Sequence, residues 1–269
     1  MLALDYGAAT HVGAVRELNE DAALAEPLLF AVADGMGGHA AGEVASALAV
    51  ERLRQLAGRD SLESDDVVEA LAGANADILA CARHDTARRG MGTTMTGLSV
   101  VVVGGSEHWL AFNIGDSRVY RLADGRMERL TVDHSEVEEL LAAGRITVAE
   151  VATHPLRNVI TRSLGTDPGP EPDVWIFPPA EGERFLLCSD GLPLEVDEPT
   201  MARMLDEAPD AQTAADRLVQ AAVAAGGRDN VTAVVVRVLP RGGAASGDMD
   251  GSTAPRSDLA RHLAGDEGA

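Results

Sequence analysis

Four short acidic motifs punctuate the chain: Arg16-Glu17-Leu18-Asn19-Glu20-Asp21, Asp34-Gly35-Met36-Gly37-Gly38-His39, Cys188-Ser189-Asp190-Gly191 and Arg228-Asp229-Asn230. Asp34, Asp190 and Asp229 are far apart in sequence. Each nevertheless ends an apolar run and abuts glycine or asparagine, where a strand or helix gives way to a tight turn. Hard divalent cations take carboxylate, carbonyl and water oxygens, and aspartates gathered from distant segments supply such a set. Without a cation the cluster repels itself: two like charges about 4 Å apart cost roughly 4 kcal/mol at an effective dielectric near 20. The chemistry indicated is binding of Mg²⁺ or Mn²⁺. Any one motif alone reads as a surface turn, and only the set argues for a site.

The segments that must position these residues alternate between strand and helix. Strands are predicted over 29–33, running into Asp34, and over 95–103, 109–114 and 118–122. Asp124-Gly125 carries a hairpin signal that returns the chain through 127–130, and 185–188 and 231–238 complete the set. Ser64 reads as an N-cap with Asp65 and Asp66 in the first turn, and Val67, Leu71, Ala74 and Ile78 share one helical face. Ala214, Ala215, Leu218, Ala222 and Ala225 form a second stripe that ends at Gly226-Gly227. Residues 40–56 are apolar nearly all round, which predicts a deeply packed helix. Hairpin-linked strands with segregated helices indicate an α+β sandwich.

The 269 residues are 46% hydrophobic but only 3% aromatic, so the core must be built from Ala, Val and Leu. A net charge of −21 argues against nucleic-acid binding, which needs a basic footprint. Every one of the 22 basic residues is Arg. Two cysteines, Cys81 and Cys188, are too few for a disulfide framework and point to a reducing compartment. No signal sequence and no run near the roughly 20 apolar residues of a membrane span is legible, so a cytosolic protein is expected. After Pro240 the composition turns to Gly, Ala, Ser and Asp and reads as a disordered tail over 240–269, with Leu259, Ala260 and Leu263 as a weak helical end.

With the motifs taken in order, the chain resembles the metal-dependent Ser/Thr protein phosphatases (PPM, type 2C), in their bacterial branch. To the four acidic motifs the resemblance adds Met91-Gly92-Thr93-Thr94, Gly115-Asp116-Ser117-Arg118-Val119-Tyr120, Leu130-Thr131-Val132-Asp133-His134-Ser135 and the segment His154 to Arg162. It extends over roughly residues 4–239, which implies one catalytic domain over 1–239. The fold it implies is a four-layer α-β-β-α sandwich, with two stacked antiparallel sheets and the metals at one end. It implies Mn²⁺ or Mg²⁺, two per site with a third, weaker one. Asp34 would bridge two metals, the Gly35 carbonyl would ligate the first, Asp190 and Asp229 would hold the second, and Asp116 with Asp190 would hold the third. Arg16 falls where the family binds phosphate, and Glu20 and Asp21 fall where it orders waters on the metals. Residues 136–163 correspond to the family's flap, which Gly144 and the His154-Pro155 step would hinge. Its acidic opening, Glu136, Glu138 and Glu139, reads as a charged helix face or as a selector of basic substrates.

The implied reaction is hydrolysis of phosphoserine and phosphothreonine by direct attack of a metal-bridging water. Phosphoproteins would be the partners, a Ser/Thr kinase among them, with no nucleic acid, no membrane and a monomeric enzyme. One departure stands out. Many eukaryotic relatives carry a histidine after the Asp-Gly, proposed as general acid, and here that position is Met36. The proton must come from another donor, such as water on a metal. His39, in the bacterial Gly-Gly-His pattern, is an alternative donor or a helix-start residue. Other phosphatase chemistries fail on spacing: Cys188 and Cys81 lack an Arg six positions on, and the one Asp-x-Asp, Asp248-Met249-Asp250, lies in the tail rather than at the end of an apolar strand. Two alternatives remain: a catalytically silent phosphoprotein-binding pseudophosphatase, or a phosphatase dedicated to one partner-switching anti-sigma antagonist.

Overall fold

The computed structural model describes residues 2–37 and 41–240. The chain opens with β1 (Leu4–His11), β2 (Asp21–Glu26) and β3 (Leu29–Met36), then helices α1 (Gly42–Arg54) and α2 (Ser64–His84). Five strands follow: β4 (Gly92–Thr93), β5 (Met95–Val103), β6 (Ser106–Ile114), β7 (Arg118–Ala123) and β8 (Arg126–Arg129). Two short helices, α3 (Glu136–Ala142) and α4 (Val148–Val151), precede β9 (Asp173–Phe177) and β10 (Arg184–Cys188). Helices α5 (Gly191–Glu195), α6 (Glu198–Glu207) and α7 (Ala211–Ala225) lead into β11 (Val231–Val238).

The strands form two antiparallel sheets, ordered β1-β11-β10-β7-β8 and β2-β3-β5-β6-β9, with β4 paired to β3. Period-two alternation sends each strand's side chains to two different buried layers. In β3, Phe30 and Val32 meet Phe185 and Leu187 of β10 and Val234 and Val236 of β11 between the sheets. Leu29, Ala31 and Ala33 turn outward onto α1 and α2. In the other sheet, Leu186, Cys188, Val231, Ala233 and Val235 turn outward onto α5, α6 and α7. Burial on both faces explains why these strands read as unbroken apolar runs rather than alternating ones. The result is the four-layer α-β-β-α sandwich, an α+β fold. Most of its few large rings sit at the sheet–sheet interface, where Trp109 meets Phe185 nearly edge-on at 5.1 Å between centroids, while Phe112 and Tyr120 face the two outer helical layers.

Several local expectations change. The hairpin at Asp124-Gly125 forms with both residues left-handed, at φ 50° and 72°, as a two-residue type I′ loop requires. The cap of α2 is Glu63 rather than Ser64, with Glu63 N donating to Asp66 Oδ2 at 2.9 Å. The first helix is not packed all round: Ala45, Ser46, Ala49, Val50 and Leu53 are buried, while Glu43 and Ala47 are exposed. Alanine is apolar enough to look buried in a sequence and small enough to face water at little cost. Ala225 closes the α7 stripe but is exposed, and the helix ends at Gly226 as expected. Strands β1, β2, β4 and β9 and helices α4, α5 and α6 were not anticipated. Both cysteines are free, with Cys188 fully buried in β10. Among the described residues no helix is long and apolar enough to cross a membrane. The tail over 241–269, including its weak helical end, lies outside the described residues, as does His39.

Candidate metal centre

Strand ends of both sheets meet at one end of the sandwich. Asp34 is near the end of β3, Asp116 follows β6, Asp190 follows β10 as the residue before α5, and Asp229 precedes β11. All four line one cleft of about 240 Å³, together with Arg16, Glu20, Gly35 and Met36. The antiparallel register sets Asp21 of β2 directly opposite Asp34, and Asp21 lies behind the cleft wall.

The backbone around Asp34 is fixed by threonine hydroxyls. Asp34 N donates to Thr94 Oγ1 at 2.8 Å, and Asp34 O accepts from Thr93 Oγ1 and from Thr94 N, both at 2.9 Å. Thr94 Oγ1 also shares a 2.8 Å hydrogen bond with Ser117 Oγ, which ties Asp34 to the turn that carries Asp116. At Gly35 a side chain would meet Gly42 O at 2.2 Å and Glu20 O at 2.5 Å, so the peptide following Asp34 can be packed this tightly only without a Cβ.

Asn230 organises the loop that carries Arg16 and Glu20. Its Nδ2 donates to Val12 O and Leu18 O at 2.9 and 2.8 Å, and its Oδ1 accepts from Glu20 N at 2.8 Å. Gly191, after Asp190, has its Cα against Asn230; an added Cβ would lie 2.0 Å from Asn230 O. Arg16 Nη2 donates to Asp229 Oδ2 at 2.7 Å, and half of the Arg16 side chain remains exposed to the cleft mouth. Glu20 Oε1 accepts from Gly42 N at the start of α1, at 3.2 Å. Arg228 turns away, pairing with Glu195 at 2.8 Å.

Asp116 sits on a turn braced by His134. Gly115 N donates to His134 Nδ1 at 3.1 Å, so the ring's proton is on Nε2, which meets Asp173 Oδ2 at 3.1 Å. Arg162 holds the other oxygen of Asp173 at 2.8 Å. Next to this turn, Arg118 grips Asp133 through two nitrogens, with Nη2 at 2.6 Å. This geometry explains the Asp133-His134-Ser135 motif as scaffold for the metal turn and the base of 136–163.

The electrostatics are those of a cluster short of positive charge. Burial, and then the charges of Asp21, Asp190, Asp116 and Asp229, hold the Asp34 carboxyl well above its ordinary value. Burial pushes Asp21 up to about 7 against the opposing hydrogen bonds from Thr232 and Ser189. Asp116 is pushed to about 7 by burial and then by Asp190 and Asp133. Asp190 is also raised, by burial and then by Asp229. Asp21 Oδ2 accepts from Ser189 Oγ at 2.8 Å, while its Oδ1 is buried without a hydrogen-bond partner.

Such a set fits divalent cations. Among the described residues no three His, Cys, Asp or Glu side chains already converge into one ready ligand cage. Mg²⁺-like ions do not need one, because they keep several waters and use one or two carboxylates each. Four cleft aspartates and the Gly35 peptide can serve two such ions.

The residues singled out in the sequence thus come together, apart from His39, which lies outside the described residues. Asn158 and Ile160, which line the cleft, and Asn230 and Thr94, which position its carboxylates, were not singled out as site residues. Their signal was present in the motifs, since Asn230 follows Asp229 and Thr94 closes Met91-Gly92-Thr93-Thr94.

Residues 14–225 match the family model described as protein phosphatase 2C. The chain is 40% identical over 273 residues to the serine/threonine protein phosphatase PstP of Mycobacterium tuberculosis, covering 97% of this chain and 52% of that one. It therefore spans about half the length of that curated relative. A serine/threonine phosphatase of Listeria innocua is 35% identical, over 84% of this chain and 93% of its own. Among solved structures, the catalytic domain of PstP in complex with two manganese ions superposes with a TM-score of 0.81 at 37% identity, covering 89% of this chain and all of that one. The PPM phosphatase MsPP of Mycobacterium smegmatis, in complex with cacodylate, gives 0.78 at 41% identity, over 87% of this chain and 97% of that one.

Proposed function

The chain belongs to the protein phosphatase 2C family, and from that membership we propose that it is a metal-dependent protein phosphatase acting on phosphoserine and phosphothreonine. The observation that carries the reading is the convergence of Asp34, Asp116, Asp190 and Asp229, with Arg16 at the mouth, on one cleft. Mn²⁺ or Mg²⁺ would be held by Asp34 and the Gly35 carbonyl and by Asp190 and Asp229, with a third, weaker ion on Asp116 and Asp190. When bound, two such ions activate a shared water and clamp the phosphoryl group for in-line displacement.

The chain's own groups do the rest. Arg16 offers two nitrogens to phosphate oxygens, a fork that lysine lacks. Its present partner, Asp229, is a carboxylate that a cation would engage, which frees the guanidinium for substrate. Glu20 and Asp21 orient what binds beside Asp34, as groups behind a metal's ligands do. Met36 lines the cleft and has no proton to give, so the leaving alkoxide needs another donor, water held beside Asp116 or the side chain of His39. The catalytic unit is residues 1–239, with 136–163 as flap. The protein works as a cytoplasmic monomer opposing Ser/Thr kinases.

The test is hydrolysis of a phosphothreonine peptide by the purified protein. Activity should appear with Mn²⁺ or Mg²⁺, vanish in EDTA and fall at least a hundredfold in Asp34→Asn. Full turnover by metal-stripped protein would sink the mechanism.

A further inference from the structure

A second and larger hollow of about 800 Å³ opens directly from the metal cleft, sharing Asp116, Asn158, Asp190 and Asp229 with it. One wall is formed by Val137 and Leu141 of α3 with Val148 and Val151 of α4, and the other by Pro193 and Leu194 of α5. Apolar surface is left uncovered there: Val148 is 76% exposed and Leu194 48%. Three arginines in the lining already have carboxylate partners, Arg118 with Asp133, Arg129 with Asp133 and Glu138, and Arg228 with Glu195. Arg157 differs. Its Nη1 donates to the backbone O of His154 at 3.5 Å, and its charge has no carboxylate partner among the described residues.

We propose that this groove is a docking channel that reads the substrate polypeptide on one flank of the phosphorylated residue, taking an apolar side chain between α4 and α5 and an acidic side chain at Arg157. The proposal rests on the phosphatase reading and deepens it to a substrate class. Continuity with the metal cleft makes a substrate chain the occupant: a peptide whose phosphate lies at the aspartates must leave over one of the surrounding surfaces, and this groove begins at the same residues. A protein of net charge −21 has little to attract an acidic peptide, so an unpaired cation in the groove acts as a local selector. Seating one leucine-sized side chain against Val148 and Leu194 is worth on the order of tenfold in affinity, the usual return for partly burying such a side chain.

The experiment uses phosphothreonine peptides in which one Leu and one Asp are moved through the positions on either flank, against a Ser/Gln peptide of the same length. With Mn²⁺, kcat/KM should rise about tenfold for Leu and Asp on one flank only. Val148→Ser and Leu194→Ser should erase the Leu preference and Arg157→Gln the Asp preference, each leaving p-nitrophenyl phosphate turnover within twofold of wild type. A wild-type enzyme indifferent to both residues on both flanks, or variants that keep the preference, would overturn the proposal. A protein that cleaves nothing would count against the phosphatase reading instead. Anisotropy of fluorescent peptides carrying a non-hydrolysable phosphonate would then still decide the groove by the same Leu and Asp dependence.

Discussion

Replacing Asp116 by Asn should stabilise the metal-free protein at pH 8 and do almost nothing at pH 4. The carboxyl is raised from 3.8 to about 7, first by burial and then by Asp190 and Asp133. Below pH 4 the folded and unfolded chains both carry the proton and no penalty exists. As the pH rises toward 7 the unfolded chain ionises while the folded one keeps its proton, so stability is lost, and above 7 the loss is complete. At 1.36 kcal/mol per tenfold, that loss is about 4 kcal/mol. Water in the open cleft and redistribution among Asp21, Asp34 and Asp190 make this an upper bound, so a gain of roughly 2–4 kcal/mol is expected from Asn. For a domain of this size the melting temperature should climb by roughly 5–15 °C. Thermal melts in EDTA at pH 4, 6 and 8, followed by circular dichroism, read the effect directly. Mn²⁺ should reverse the ranking at pH 8, because the wild type gains a ligand that the variant lacks. A variant that is destabilised in EDTA at pH 8, or shifted equally at all three pH values, would refute the electrostatic account of the cluster.

Other expectations follow from the same geometry. Arg16→Ala should raise KM for phosphopeptide about tenfold or more, and Arg16→Lys should recover only part of it, since a point charge replaces a fork; wild-type kinetics in both would return Arg16 to a surface role. Asp116→Ala should slow a phosphothreonine peptide far more than p-nitrophenyl phosphate, whose leaving group needs little protonation, and equal losses would remove Asp116 from proton supply. Gly191→Ala, with its Cβ 2.0 Å from Asn230 O, should cost roughly 1–3 kcal/mol in a urea melt and reduce kcat by moving Asn230. At the opposite end, Glu183→Ala leaves the Trp109 indole and Arg121 without their buried carboxylate; it should cost about 3–5 kcal/mol of stability while sparing kcat at low temperature.

Much of this protein could be read directly from the order of its residues. The apolar-rich segments at 95–103, 109–114 and 231–238 read as strands and Asp124-Gly125 as a tight hairpin, because both signals are local. The candidate metal carboxylates were legible only as a set, since one aspartate between an apolar run and a glycine reads as a turn, whereas several brought together repel one another without a cation. The edge strands were not. Residues 4–11 and 21–26 contain few β-branched side chains, and they are strands because β11 and β3 offer them backbone partners far away in the chain. Only the fold could decide that Asn230 stitches the Arg16 loop, that His134 braces the turn of Asp116, and that Arg16 rests on Asp229. Each is a hydrogen bond spanning from 19 to 218 residues of chain. A groove made by α3, α4 and α5 likewise has no signature in any one of them. A residue's chemical type and local conformational preference are properties of short segments, whereas the distance between two side chains is set by every strand that packs between them.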